Sequence, residues 1–223
     1  MDYLSVPMLP FTRDQFLTVF ADYNLAVWPA QVAAYLLGAG IVFSLLRPSR
    51  RADGIVGAGL ALMWIWTGLA YHATFFAAIN QAAIGFAALF VVQGALLAHA
   101  ALVRGDFPVA QRRGPAAWFG WALVAYAAVV YPLIGLAGHG YPAMPMFGIT
   151  PCPVTLFTFG VLLVARGPMP RRLLAIPLVW ALIGGSAAFL LGVPQDWPLL
   201  IGGLLVTPWL WRRPSAPTRP SYA

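Results

Sequence analysis

Long runs of apolar residues alternate with short polar segments along almost the whole chain. Because a helix needs about 20 apolar residues to cross roughly 30 Å of hydrocarbon, this pattern predicts membrane-spanning helices. The fifth and seventh runs are short, so those helices must lie upright, thin the bilayer or begin below its surface. We predict an all-α bundle of seven spans, at about residues 25–46, 54–75, 82–103, 115–137, 151–165, 173–191 and 198–211.

A short amphipathic helix is predicted before the first span. Thr12 and Gln15 have the spacing of a capping box, and Phe11 and Phe16 have that of a hydrophobic staple. The apolar residues that follow share one helical face, away from the charged residues. A helix of this length cannot span a bilayer, so we expect residues 1–24 to form an outer interfacial segment ahead of a transmembrane domain at 25–211.

The positive charges mark one side of the membrane. All 13 basic residues are arginines, and apart from Arg13 they gather after every second span, at 47–51, 104–113, 166–172 and 212–219. Loops rich in arginine face the cytoplasm, so the pattern predicts an outer N-terminus and an inner C-terminus. The segment 212–223, rich in proline and serine, is then predicted to be a disordered cytoplasmic tail.

Composition narrows the class of function. With 61% hydrophobic and 9% charged residues, the chain has too little polar surface for a soluble domain. The net charge of +7 comes from the arginine clusters, so it reports topology and predicts no nucleic-acid partner. No charged residue lies inside a predicted span, which disfavours an ion-coupled pump. Gln93, the deepest strongly polar side chain, is expected either to hydrogen-bond a neighbouring helix or to mark a solute path.

Candidate metal ligands concentrate at the predicted outer face. Neutral imidazole binds copper, zinc or haem iron, and thioether together with thiolate selects Cu(I). Two histidines stand at the ends of predicted spans two and four, and the long loop at 138–153 holds sulfur ligands. The candidates for a copper or haem site are His72, His139, Met144, Met146 and Cys152. The sequence leaves open an alternative, in which the histidines bond water and backbone while the sulfur side chains fill packing gaps.

Cys152 is also placed to be acidic. Thr150 is a candidate N-cap and Pro151 suits the first helical position, so the thiol falls in the first turn of a helix. The helix dipole favours a thiolate there when water reaches it.

Four blocks of sequence resemble an uncharacterised family of small polytopic bacterial inner-membrane proteins. The blocks are residues 9–16, 71–72 with 79–80, 138–142 with 147–153, and 192–197. Members of that family are often labelled only as membrane protein or transporter permease, so the resemblance implies a multi-pass protein of the bacterial inner (plasma) membrane without a mechanism. All four blocks fall at the predicted outer face, which favours a ligand site there. Its candidate residues are His72, Asn80, His139, Tyr141, Gln195 and Asp196.

Three classes of function fit these patterns. The first is a permease-like or binding protein for a small solute or soft metal ion, with its site at the periplasmic face. The second is a redox membrane subunit that holds haem or exchanges electrons with quinone through the histidines. The third is a non-catalytic assembly subunit, for which the lack of intramembrane charge is the supporting feature. The lipid bilayer is a partner in each class, and an oligomeric or complex partner stays open. No hydrolase, phosphate-loop or dinucleotide motif is found, so the sequence names no catalytic residue.

Overall fold

The computed structural model describes residues 9–47, 49–105, 107, 110–111, 114–166 and 170–212. Helices α1 (Arg13–Ala26) and α2 (Ala30–Leu46) come first, and α3 (Arg50–Trp66) continues through a π-helical segment (Thr67–Phe75) into a 3-10 turn (Phe76–Ala78). Helix α4 (Ala83–Ala98) ends in a second π-helical segment (His99–Arg104). Helix α5 (Pro115–Ala125) passes through a third (Tyr126–Val130) into α6 (Tyr131–Gly138). Then follow α7 (Pro151–Val164), α8 (Arg172–Leu191), a 3-10 turn (Pro194–Asp196) and α9 (Trp197–Trp211).

The fold is an all-α bundle, as predicted, and several of its helices can cross a membrane. Four helical stretches are long and apolar enough: Arg51–Ala78, Ala83–Arg104, Pro115–Gly138 and Arg172–Leu191. The pair α1 and α2 makes a fifth if it is counted as one bent span. By length and hydropathy, four or five helices within the described residues are able to cross a membrane, and the seven spans that the apolar runs indicate stay a prediction.

The start of α1 agrees with the sequence pattern. Thr12 N donates to Gln15 Oε1 (2.8 Å) and Gln15 N donates to Thr12 Oγ1 (3.2 Å), which confirms the capping box. The rings of Phe11 and Phe16 stack with their centroids 5.8 Å apart, as the staple predicts.

The boundary between the first helix and the first span differs from prediction. Helix α1 extends to Ala26, and an 85° bend separates it from α2, so no single helix runs over 25–46. Pro29 stands at this break, where its missing N–H removes one hydrogen bond that a continuous helix would make. Residues 1–8 of the predicted interfacial segment lie outside the described residues.

The arginines gather at one end of the bundle. Helices end or begin there at Arg47, Arg104, Arg172 and Arg212, and we call this the arginine end. The strands β1 (Ala110–Gln111) and β2 (Ala165–Arg166) pair antiparallel at the same end. Outside the described residues lie Arg112, Arg113, Arg213 and Arg219, together with the predicted tail beyond residue 212. We call the opposite end, which includes segments 138–150 and 192–196, the loop end.

Helix α7 forms the centre of the bundle. Every residue of this 14-residue helix except Cys152 is buried. At 1.5 Å per residue the helix is only about 21 Å long, and other helices enclose it. Helices α5 and α7 cross at Gly120 and Gly160, where a Cβ atom on Gly160 would lie 2.7 Å from the Gly120 oxygen. Glycine at both positions is what permits this approach.

Gln93 joins two helices inside the bundle. Its Nε2 donates to the backbone oxygen of Leu173 at the start of α8, at 3.0 Å. This bond confirms the first of the two roles that the sequence suggests for Gln93, an interhelical hydrogen bond.

The segment 139–150 is held against α1 and α2 by buried polar side chains. Asn24 Nδ2 donates to the carbonyl oxygens of Pro142 (2.8 Å) and Met144 (2.7 Å). Gln31 Nε2 in turn donates to the backbone oxygen of Asn24 (2.8 Å). Carbonyl groups in a buried loop need such partners, because an unsatisfied group costs about 1–3 kcal/mol.

Tyr23 fixes the last part of the same segment, next to the start of α7. Its hydroxyl donates to the Ile149 oxygen (2.8 Å) and accepts a hydrogen bond from Trp66 Nε1 (2.8 Å). The Thr150 hydroxyl donates to the Met146 oxygen (2.7 Å). Helix α7 therefore begins from an anchored position at the loop end.

Candidate ligand-binding cavity

A cavity of about 240 Å³ lies at the loop end, among α1, α6, α7, α8 and the segment that follows α3. Its wall is largely aliphatic and aromatic, and it includes Phe20, Tyr71, Phe86 and Trp180. For comparison, an engineered protein cavity of about 150 Å³ is large enough to bind benzene. The space can therefore hold one aromatic ring with several substituents.

Three polar side chains from different elements converge on this apolar space. The Tyr131 hydroxyl, at the start of α6, donates to Asp196 Oδ1. The thiol of Cys152, in the first turn of α7, faces the same carboxyl group. All three residues line the cavity, and we call them the polar cluster. An apolar pocket with a few convergent polar groups is typical of a small-molecule site.

The turn after α8 carries Asp196 into the bundle. Gly192 ends α8 in the left-handed conformation (φ 65°), and the N–H of Val193 returns to the Ala188 oxygen at 2.9 Å. Gln195 and Asp196 of the following 3-10 turn are buried, and Asp196 is only 4% exposed. The sequence pattern places this turn in an outer loop, whereas the structure buries its Asp196 side chain.

A π-helical segment directs two tyrosines to this turn. The Tyr126 hydroxyl donates to the backbone oxygen of Gln195 (2.8 Å), while Tyr131 bonds Asp196. The two tyrosines are five residues apart, which is one π-helical hydrogen-bond interval. In a regular α-helix of 3.6 residues per turn, positions five apart would point in clearly different directions.

Burial controls the charge state of Asp196. Removal of the carboxyl group from water raises the pKa of Asp196 from its ordinary value of 3.8 to about 6, and the hydrogen bonds from Tyr131 and Cys152 only partly oppose this shift. None of the arginines whose side chains are described contributes to the shift. The carboxyl group is thus held by neutral donors.

Two further donors beside the cluster lack an acceptor. The Tyr71 hydroxyl is buried and makes no hydrogen bond within the described structure. The indole N–H of Trp180 faces the Cys152 thiol but has no acceptor in hydrogen-bond geometry. Both residues line the cavity. Because nearly all buried polar groups in proteins are hydrogen-bonded, such donors mark places where a ligand or an ordered water completes the site.

His72 lies behind the cavity wall, inside a group of aromatic rings. Its ring centroid is 4.6 Å from that of Phe90, 5.0 Å from Trp180 and 5.8 Å from Phe86. Neither ring nitrogen has a hydrogen-bond partner in the described structure. The imidazole packs as an aromatic ring and does not itself line the cavity.

The other predicted loop residues lie apart from the polar cluster. His139 is partly exposed, and its pKa is lowered by partial burial and, to a smaller extent, by the charge of Arg13. Tyr141 is 47% exposed. Met144 is buried and Met146 is partly buried, and both offer their backbone oxygens to hydrogen bonds.

Of the predicted ligand-binding residues, Asn80 and Asp196 reach the cavity. Asn80 Oδ1 also accepts a hydrogen bond from Ala82 N at 3.1 Å. The side chain of Gln195 is buried, and its backbone oxygen serves as the acceptor for Tyr126. Of the predicted metal ligands, only Cys152 lines the cavity. Within the described ranges, no three His, Cys, Asp or Glu side chains lie close enough together to hold a metal ion. The copper or haem site stays a prediction.

The expected acidity of Cys152 finds no support in its surroundings. Pro151 does occupy the first turn of α7, but the Thr150 hydroxyl bonds the Met146 oxygen and does not cap the helix. The thiol also faces the carboxyl group of Asp196. A negative neighbour disfavours a thiolate, so Cys152 acts here as a neutral donor.

Tyr71, Tyr131 and Trp180 are site residues that sequence reasoning missed. Aromatic residues with polar atoms are common near membrane interfaces, where they serve as anchors. The one local signal in the sequence is the pair Tyr126 and Tyr131, which are five residues apart. This spacing indicates a shared direction only when the helix is known to be π-helical at 126–130.

The family comparison covers this site. A family described as a family of unknown function (DUF6064) has a model that matches residues 13–216. The chain belongs to this family. The DUF6064 match includes the whole polar cluster and nearly all of the cavity wall. The match confirms that the chain belongs to an uncharacterised family, and it does not indicate an activity. No curated protein and no solved structure matches the chain.

Proposed function

We propose that this protein is a seven-span protein of the bacterial inner membrane that binds a small, largely apolar solute at its periplasmic face. We count as crossings the four long apolar helices, the bent α1 and α2 pair, and the shorter α7 and α9. The described arginines other than Arg13 lie at the end opposite the cavity, which supports a cytoplasmic arginine end and a periplasmic loop end.

One observation carries the binding function: the apolar cavity contains a polar cluster and two donors without acceptors. The aromatic and aliphatic wall favours an apolar body, and the polar groups favour one polar group on the ligand. A soft-metal function has less support, because the five predicted metal ligands do not share the cavity wall.

Thermal unfolding of the purified protein in lipid nanodiscs, with neopentylbenzene as a neutral apolar probe, tests the proposal. A probe that binds only the folded state at 100 times its Kd adds about 2.7 kcal/mol of stability. We expect the unfolding midpoint to rise with probe concentration and to saturate.

Two phenylalanine variants on α8 provide the matched comparison. Ala187 lines the cavity, so Ala187→Phe fills it and should abolish the saturable shift. Leu182 is 42% exposed and lies away from the cavity, so Leu182→Phe should keep the shift. Equal shifts in the wild type and both variants would mean that the probe acts through the bilayer, and the proposed site would be wrong.

A further inference from the structure

The carboxyl group of Asp196 is the one acidic group on the cavity wall among the described residues. It is 4% exposed, and no described arginine forms an ion pair with it. A buried carboxylate without a counter-charge is costly, because hydrogen bonds replace only part of its lost hydration. A positively charged group beside this carboxylate would offset part of that cost.

The neighbours of Asp196 orient the carboxyl group without neutralising it. The Tyr131 hydroxyl donates a hydrogen bond to the group and the Cys152 thiol faces it, and neither carries a positive charge. Hydrogen bonds of this kind favour the ionised form of a carboxyl group. They hold a potential anion at a fixed place on an apolar wall.

The rest of the wall suits an apolar cation. Aromatic residues from α1, α4, α8 and the segment after α3 line the cavity, among them Phe20, Tyr71, Phe86 and Trp180. Aromatic rings attract cations through their π faces, and this attraction is strongest in desolvated sites. Apolar contact with the rings and ion pairing with the carboxyl group would then act on the same ligand.

The distribution of basic residues allows a cation to approach. The chain has a net charge of +7, but its described arginines other than Arg13 belong to the arginine end. The cavity lies at the loop end, so most of the positive charge is separated from it by the length of the helices.

We propose that the solute bound in this cavity is a small lipophilic cation, such as an aromatic amine or a quaternary ammonium compound, with Asp196 as its counter-ion. This assignment rests on the proposed function. A neutral ligand that accepts a hydrogen bond from Tyr71 is the competing outcome, and a pair of probes of equal shape separates the two.

The experiment compares benzyltrimethylammonium with its uncharged isostere neopentylbenzene. Binding of each probe to the full chain in nanodiscs is measured by the shift of the unfolding midpoint, at a pH near 7.5. The wild type should bind the cation at least tenfold more tightly than the isostere. Asp196→Asn should weaken binding of the cation at least tenfold and leave binding of the isostere unchanged.

Each outcome decides a different one of three claims. Equal affinities for the two probes in the wild type overturn the cation assignment while the cavity remains a binding site, and this comparison needs no variant. Tight cation binding that survives in Asp196→Asn overturns the role of Asp196 as counter-ion. Failure of both probes to bind the wild type contradicts the proposed function itself.

Discussion

The loop end buries two sets of polar groups: one set is hydrogen-bonded, and the other has no hydrogen-bond partner within the described structure. In the segment 139–150 the carbonyl oxygens of Pro142, Met144 and Ile149 all receive hydrogen bonds from side chains of α1. On the neighbouring cavity wall, the donors of Tyr71 and Trp180 have no acceptor in hydrogen-bond geometry.

The difference distinguishes polar groups that stabilise the fold from polar groups that are available to a ligand. A satisfied buried network fixes one conformation of the chain, and each of its members is needed for stability. Unsatisfied donors beside a cavity contribute little to stability and are available to a ligand. The predictions below ask whether the two sets of residues behave in these two ways.

The largest loss of stability is expected from Asn24→Leu. This change leaves the oxygens of Pro142 and Met144 without partners, at about 1–3 kcal/mol each. We expect a loss of roughly 2–6 kcal/mol, measured as a lower unfolding midpoint by tryptophan fluorescence. Asn80→Ala is the control, since Asn80 makes an exposed hydrogen bond and should cost less than about 1 kcal/mol. Similar losses for the two variants would contradict the anchoring role of Asn24.

The Tyr131→Phe variant should have the next largest effect. It removes the hydroxyl that donates to Asp196, and a hydrogen bond to a charged group contributes about 1.5–3 kcal/mol. The midpoint should fall by less than in Asn24→Leu. Tyr126→Phe, which loses a bond to a backbone oxygen on the same turn, should cost only about 0.5–1.5 kcal/mol. A smaller loss in Tyr131→Phe than in Tyr126→Phe would indicate that Asp196 does not need its donor.

The stability should depend on pH through Asp196. Burial raises the pKa of Asp196 in the fold to about 6, above the ordinary 3.8, so the neutral form is favoured on folding. This contribution is fully present below about pH 4 and is lost as the pH rises through about 6. The groups that face the carboxyl are Tyr71, Tyr126, Tyr131 and Cys152, and tyrosine and cysteine ordinarily titrate above pH 8.

The measurement for this prediction is the unfolding midpoint between pH 4 and pH 7.5. The wild type should lose stability over this interval relative to Asp196→Asn, which has no proton to release. Parallel curves for the two proteins would show that Asp196 does not titrate in this range.

No loss of stability is expected from Tyr71→Phe. The buried hydroxyl has no partner in the described structure, so its removal should leave the free energy of unfolding unchanged or raise it, by up to about 1–3 kcal/mol. Tyr23→Phe is the matched control, because the Tyr23 hydroxyl makes two hydrogen bonds. A loss in Tyr71→Phe as large as that in Tyr23→Phe would mean that Tyr71 belongs to the structural network.

Local features of the fold follow well from the sequence. The capping box at Thr12 and Gln15 depends on residues three apart, and the hydrogen bonds appear as predicted. The helical class follows from composition and the length of the apolar runs. The number of crossings follows less directly, because length and hydropathy select four or five helices and leave out the short, buried α7.

The site was only partly predictable for a similar reason. Cys152 and Asp196 stand out as polar residues in an apolar chain, and both line the cavity. The sequence also grouped Cys152 with His72 and His139 by membrane level, whereas the structure puts His72 among aromatic rings and leaves His139 partly exposed. Two residues predicted at the same level of the membrane can lie on different helix faces. Packing between helices that are distant in sequence determines which face each side chain occupies.

The most direct test of the account is the location of a bound probe. Crystals of the full chain soaked with 4-bromobenzyltrimethylammonium would show the bromine by anomalous scattering and the ammonium group by its density. We predict a bromine peak inside the cavity, with the ammonium group beside Asp196 and within about 6 Å of an aromatic ring centroid. A cavity that stays free of probe at saturating concentration, or a probe bound only at other surfaces, would contradict the assignment of this cavity as the binding site.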